Sequence, residues 1–145
     1  MTRFFGLQAW QFYALGSAVF AALTAILGKI GVQNIDSNLA TAIRVVVILV
    51  FAWAIVLAQG TTNQLRALDT RTILFLFLSG LATGASWLCY YRALKLAPAS
   101  RVAPIDKMSV VLVVVFAAIF LKEPMTWKVL LGVTMISGGA ILLIR

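Results

Sequence analysis

The sequence contains no histidine, one cysteine, three prolines and four acidic residues among its 145 positions. Because histidine is absent, we expect neither a histidine-bound zinc site nor a histidine proton relay. The single cysteine, Cys89, excludes an internal disulfide, and its apolar surroundings indicate a small packing residue. Charged residues amount to 11% of the chain, against about 25% in soluble domains. The composition therefore argues against a soluble protein.

Hydrophobic residues make up 63% of the chain, and they are gathered in long apolar runs. A membrane-crossing helix needs about 20 consecutive, mostly apolar residues, so each run predicts one crossing. We expect an all-α polytopic membrane protein with a single domain over residues 1–145 and five transmembrane helices. The expected helices lie at about residues 9–30, 38–58, 72–94, 99–121 and 126–144. The first is interpreted as a retained helix rather than a signal peptide, because no small-residue cleavage pattern stands out before it.

The twelve lysines and arginines give a net charge of +8, and most of them lie at the ends of the apolar runs. In a soluble protein such a charge would suggest a nucleic acid partner. Here, bases that extend from the helix ends to anionic headgroups explain it. We therefore expect the lipid bilayer, and no nucleic acid, as a partner.

The bases at the helix ends are divided equally between the two sides of the membrane. The side of the N-terminus carries Arg3, Arg66, Arg71, Lys122 and Lys128, and the opposite side carries Lys29, Arg92, Lys95, Arg101 and Arg145. The positive-inside rule then gives no orientation. Two copies inserted in opposite orientations would form an inverted pair, an arrangement that many transporters build from fused repeats. The alternative is that one weak orientation wins and that the equal count is a coincidence.

Three charged residues lie inside the predicted helices: Arg44 in the second, and Asp106 and Lys107 in the fourth. A charge at the centre of a membrane helix costs roughly 2.5 to 3.5 kcal/mol on insertion scales. Both helices enter from the same side, so these residues lie at similar depth, and Lys29 and Trp87 approach the same layer. One interpretation is a salt-bridge cluster that only holds two helices together. The other is a substrate-binding or coupling site, whose surplus positive charge meets an anionic group.

The fourth helix suggests a division of roles within this cluster. Asp106 is the only acid well inside a helix, so it is the one obvious carboxylate for proton coupling. Adjacent residues on a helix point about 100° apart, so Asp106 and Lys107 cannot face one partner squarely. We expect Asp106 to pair with Arg44, and Lys107, aided by Trp87, to face the substrate. Pro104 lacks a backbone donor and is expected to kink the helix just before Asp106.

Small residues on the third and fifth helices are spaced for close contact between helices. A GxxxG lies on the third helix, and alone it is a weak motif. The glycines expected to serve helix packing are Gly80, Gly84, Gly132, Gly138 and Gly139. At the far end of the third helix, Tyr90 and Tyr91 are interpreted as part of an interfacial aromatic belt.

Four stretches of the chain together resemble a known family. Residues 103–110 read APIDKMSV, and residues 120–124 read FLKEP before a glycine-rich last helix. Residues 28–31 read GKIG, and residues 38–44 read NLATAIR. This combination resembles the EamA domain, the repeat of the drug/metabolite transporter superfamily, over nearly the whole chain. The Asp-Lys stretch is its most specific part, whereas the glycines are generic.

The resemblance implies an α-helical transporter of the bacterial inner membrane. Most relatives fuse two inverted five-helix repeats, so a chain with one repeat resembles the half-size branch, which works as a pair. Distant relatives, the small multidrug transporters, rely on a glutamate in their first helix. This chain has no acid there, so cation antiport of that type is not expected.

We expect a secondary transporter, an exporter of a small metabolite or drug-like molecule, that acts as a homodimer by alternating access and uses no cofactor. The dimer is either antiparallel or parallel. The first alternative is a structural or accessory membrane subunit that transports nothing. An ion channel is a weaker alternative, because no repeated polar stripe runs through any helix. An enzyme is not expected, because no nucleophile–base or metal constellation is present.

Overall fold

Residues 3–4 and 7–144 are described by the computed structural model. Its elements, in chain order, are the strands β1 (Arg3–Phe4) and β2 (Leu7–Gln8), the helices α1 (Ala9–Gly31) and α2 (Ser37–Ala58), a 3-10 helix, η1 (Thr61–Ala67), and the helices α3 (Thr70–Leu96), α4 (Ala99–Asp106), α5 (Ser109–Phe120) and α6 (Trp127–Ile144). The two short strands pair antiparallel, with Arg3 opposite Gln8. The sequence analysis did not predict this hairpin.

Four stretches are long and apolar enough to cross a membrane: α1, α2, α3 and Ala99–Phe120, which comprises α4 and α5. The last helix, α6, is shorter, and its 18 residues extend about 27 Å at 1.5 Å per residue. Large apolar side chains such as Phe20 and Val50 are exposed along these helices, as expected for surfaces that lipid covers. The prediction of an all-α polytopic membrane protein is confirmed.

The chain divides into two compact units. In the unit of residues 31–95, aspartates cap the N-termini of the helices α2 and α3. Asp36 accepts two backbone N–H groups from the first turn of α2, at 2.8 and 3.3 Å. Asp69 accepts the backbone N–H of Thr72 in α3 at 3.2 Å. A carboxylate at this position satisfies donors that have no partner inside the helix. The hydrogen bond from the Asn38 backbone lowers the pKa of Asp36, and the hydrogen bonds from the side chain and then the backbone of Thr72 lower the pKa of Asp69.

The other unit comprises residues 1–30 and 96–145, and within it α6 packs against both α4 and α5. The turn before α6 follows from how α5 ends. Lys122 adopts a left-handed backbone conformation, with φ at 56°, and the Glu123 N–H donates to the Ala117 carbonyl at 3.2 Å. A left-handed residue followed by a bond back to the last helical turn is a common way to end a helix.

The predicted fourth helix is divided in two just after Asp106. Pro104 lies inside α4, and the helix continues past it to Asp106. At residues 107–108 the hydrogen-bond pattern tightens, because the Met108 N–H donates to the Ile105 carbonyl, three residues back, at 2.9 Å. We expected a kink just before Asp106; that kink stays a prediction, and the tighter hydrogen-bond pattern lies a few residues later. The carbonyl that the proline frees lies in the first turns of α4, where the helix tolerates its loss.

Candidate functional site

Within the unit of residues 31–95, the second and third helices bring Arg44 against two aromatic rings. Its guanidinium carbon lies 5.1 Å from the centre of the Trp87 ring and 4.5 Å from the centre of the Tyr91 ring. The two aromatic residues are four positions apart on α3, so they share one helix face. A planar, delocalised cation stacks favourably on such rings, and more so where water is excluded. The structure thus brings together the predicted residues Arg44 and Trp87.

This cluster contains polar atoms that are buried and lack a partner. Arg44 Nη1 and the Tyr91 hydroxyl are buried, and neither has a hydrogen-bond partner among the described residues. Tyr91 is 1% exposed. A buried donor without an acceptor costs about 1–3 kcal/mol. Native interiors contain few such atoms, so two on adjoining side chains call for an explanation.

The acids of the same unit do not supply that acceptor. Residues 31–95 contain two acids, Asp36 and Asp69, and both carboxylates are engaged at helix N-termini. Neither forms an ion pair with Arg44 in the described part of the chain. Among the described residues of its unit, Trp87 and Tyr91 provide the ring faces that lie against the charge of Arg44.

Tyr91 is the site residue that sequence reasoning missed. We had assigned it to an interfacial belt together with Tyr90, and for Tyr91 this was wrong because its side chain is almost fully buried. The two tyrosine rings contact each other edge to face, with centres 5.9 Å apart. The spacing of four residues from Trp87 was the available signal, because it places Tyr91 on the helix face that we had already assigned to the cluster.

Asp106 and Lys107 form an ion pair with each other, with Lys107 Nζ 3.6 Å from Asp106 Oδ2. Their side chains are 38% and 57% exposed, respectively. Asp106 is the last residue of α4, and Lys107 lies between α4 and α5. The backbone there is not the regular helix on which we expected the two side chains to point in different directions. The predicted pairing of Asp106 with Arg44, and the predicted substrate contact of Lys107, stay predictions.

Lysines at helix ends donate to carbonyl groups of the loops. Lys29, in the last turn of α1, donates to the Ala97 carbonyl at 3.0 Å. Lys95, in the last turn of α3, donates to the Ile35 carbonyl at 2.6 Å. A cation near a helix C-terminus also complements the helix dipole. Lys29 was predicted as a site residue, and the contact described here is a structural one. Lys95 was not predicted to have such a contact.

Comparison with known proteins identifies the family to which this membrane architecture belongs. The model of the EamA-like transporter family matches residues 8–145. The chain belongs to the EamA-like transporter family. A Sinorhizobium sp. relative, described as an uncharacterized transporter in the cobO 3′ region, is 56% identical over 136 residues, covering 94% of this chain and 96% of the relative. No solved structure matches the chain. The resemblance to the EamA domain is thereby confirmed.

The five glycines that were predicted to serve helix packing lie on open helix surfaces. A Cβ atom added at any of them would meet no heavy atom within 4 Å in the described part of the chain, at Gly80, Gly84, Gly132, Gly138 and Gly139 alike. The single chain therefore provides no partner at the positions where we predicted close packing.

Within residues 3–4 and 7–144, no group of three or more histidine, cysteine, aspartate or glutamate side chains is placed to hold a metal ion. The candidate site consists of the cation Arg44 against the rings of Trp87 and Tyr91. It includes buried hydrogen-bond donors that have no partner among the described residues. Such an arrangement can bind an anion or stabilise a helix pair.

Proposed function

We propose that the protein is a secondary transporter of the bacterial inner membrane that exports a small metabolite or drug-like molecule. It requires no cofactor and catalyses no chemical reaction. Membership of a transporter family supports the general class. The observation that carries the proposal is Arg44, a cation in a membrane-crossing helix, with a buried nitrogen that has no hydrogen-bond partner among the described residues. Such charges are expensive in lipid and are mostly kept for substrate or ion pathways.

The working unit in this proposal is a homodimer that transports by alternating access. The match covers one EamA repeat, the bases are divided equally between the two sides of the membrane, and the glycine surfaces are open. Together these features favour an inverted, antiparallel pair. If every copy in native membranes has its C-terminus on the same side, the antiparallel form is excluded. Several lysines added to the loop at residues 61–67 should bias the orientation and impair transport.

The proposed roles of the charged residues extend this mechanism to single side chains. Asp106 serves as the countercharge of Arg44 during the transport cycle and as the proton carrier if protons drive transport. Asp106→Asn should therefore lower stability, and the double change with Arg44→Gln should partly restore it. Additive losses in the double variant would show that the two side chains act independently.

Flux measurements on the purified protein in liposomes test the proposed function against its alternatives. Saturable flux indicates a carrier, and large ion currents indicate a channel. Liposomes that show neither would indicate a structural or accessory subunit. Protein-free liposomes and liposomes with an unrelated membrane protein of similar size control for leakage.

A further inference from the structure

Arg44 has a buried guanidinium nitrogen that donates to no acceptor in the described part of the chain. The guanidinium carbon lies over two aromatic rings, 4.5 and 5.1 Å from the ring centres. A cation over a ring is held by electrostatic attraction to the ring, and the guanidinium carries five N–H donors for hydrogen bonds. One of the guanidinium nitrogens, Nη1, has no acceptor in the described residues. The ring contacts therefore position the cation without using its hydrogen bonds.

Tyr91 adds a second kind of donor to the same place. Its ring contacts Arg44, and its hydroxyl is buried without a partner in the described part of the chain. A hydroxyl can donate one hydrogen bond, and a guanidinium edge can donate two in parallel. Together they match a group that carries at least two acceptor oxygens. Water could satisfy the hydroxyl, but it leaves the charge of Arg44 without a counterion in a low-dielectric site.

The charge of the site selects among the possible acceptors. Arg44 contributes one positive charge, and Tyr91 is neutral, so a monoanion balances the site. A carboxylate is planar, carries one charge and fits the guanidinium fork through two parallel bonds. A phosphate dianion would leave a net negative charge among apolar side chains.

We propose that Arg44, Trp87 and Tyr91 form the binding site for the carboxylate group of the cargo, which makes small organic carboxylates the transported class. This inference rests on the proposed function and names its substrate class. Trp87 acts as a positioning residue, because its ring lies against the guanidinium of Arg44. A bound carboxylate accepts from the buried donors of Arg44 and Tyr91 in the part of the cycle in which Asp106 is not the countercharge, and it thereby links α2 to α3.

Titration calorimetry on the purified protein in detergent tests this site, with acetate, lactate and benzoate as probes. Their neutral amides, acetamide, lactamide and benzamide, have nearly the same shape without the charge. We expect at least one carboxylate to bind saturably and its amide to bind at least tenfold more weakly. Equal binding of acid and amide, or no saturable binding of any of the three acids, overturns the proposal.

Four variants assign the binding to this cluster. Arg44→Gln should abolish binding of the carboxylate, and Arg44→Lys, which keeps the charge but loses the fork, should weaken it by about tenfold. Tyr91→Phe keeps the ring on Arg44 and removes only the hydroxyl, so it should fold normally and weaken binding by several fold. Arg92→Gln removes an exposed base next to Tyr91 and is the control for unspecific attraction. Unchanged affinity in both Arg44→Gln and Tyr91→Phe overturns the proposal.

The same variants separate this inference from the proposed transport function. Carboxylate binding that depends on Arg44, in a protein that shows no flux in liposomes, would support the proposed binding site and contradict the proposed transport function. Flux of another solute that persists in Arg44→Gln would leave the transporter standing and contradict the site.

Discussion

Replacing glycines on the open helix surfaces should separate the stability of the single chain from the stability of the dimer. Take Gly84→Leu on α3 and Gly139→Leu on α6. Within the described chain, an added Cβ at either position has no heavy atom within 4 Å. Glycine is about 0.8–1.0 kcal/mol less favourable than alanine in a helix, and leucine is close to alanine. The isolated chain should therefore keep its stability or gain slightly.

The proposed dimer, in contrast, should become less stable with the same two substitutions. If a second copy packs closely on these surfaces, a leucine side chain forces the two backbones apart. Overpacking of a close contact typically costs about 1–3 kcal/mol, which corresponds to an increase of roughly 5- to 150-fold in the dissociation constant of the dimer. Sedimentation or cross-linking over a dilution series in detergent measures the dissociation constant of the dimer. Thermal unfolding of the dilute, monomeric protein measures the stability of the single chain.

A leucine elsewhere provides the control. Gly16 on α1 also has open space around an added Cβ, and it is outside the third and fifth predicted helices. Gly16→Leu should leave both measurements close to the wild type. The reasoning is refuted if Gly84→Leu and Gly139→Leu both assemble as tightly as the wild-type protein, since these surfaces would then face lipid.

Three further predictions concern the charged residues and the topology. Lys107→Ala should insert and assemble normally but lose transport in liposomes; full transport per folded dimer would mean that Lys107 only stabilises the protein. Asp36→Ala should lower the melting temperature and Asp36→Asn much less, because asparagine also caps helices. The pKa of Asp36 is lowered in the folded protein. Its contribution to the stability of the fold is therefore present above the ordinary pKa of 3.8 and disappears as the pH falls through the lowered value. A stability difference between wild type and Asp36→Asn that is the same at every pH would contradict this role of Asp36. Cysteines introduced at Gln64 and Leu96, in a variant without Cys89, should be labelled from opposite sides of the membrane within one molecule, and labelling from the same side throughout would contradict five crossings.

The helical architecture could be predicted because apolar runs of about 20 residues have few alternatives in a membrane, where backbone polar groups must be satisfied within the helix. Local chemistry also marked the helix starts, since Asp36 and Asp69 precede α2 and α3 and cap them. The break after Asp106 was harder to place. Proline identifies a disturbed region, but the position of the break depends on which backbone bonds the neighbouring turns can still form.

The candidate site was only partly predictable. Arg44 stood out because a cation inside an apolar run is costly, and Trp87 stood out because it lies deeper than Tyr90 and Tyr91. Their mutual contact depends on how α2 and α3 pack, and one sequence does not report that packing. The role of Tyr91 was missed for the same reason, because a tyrosine near a helix end fits a lipid interface as well as a buried contact.

We propose that this protein carries a solute across the membrane by alternating access. A counterflow assay measures the exchange of solute that such a carrier catalyses. Liposomes containing the purified protein are loaded with an unlabelled carboxylate that binds, then diluted into a trace of the labelled form. A carrier should take up the label transiently against its gradient, faster than liposomes without internal solute, and Arg44→Gln should not. Uptake that is unaffected by the internal solute would contradict the account.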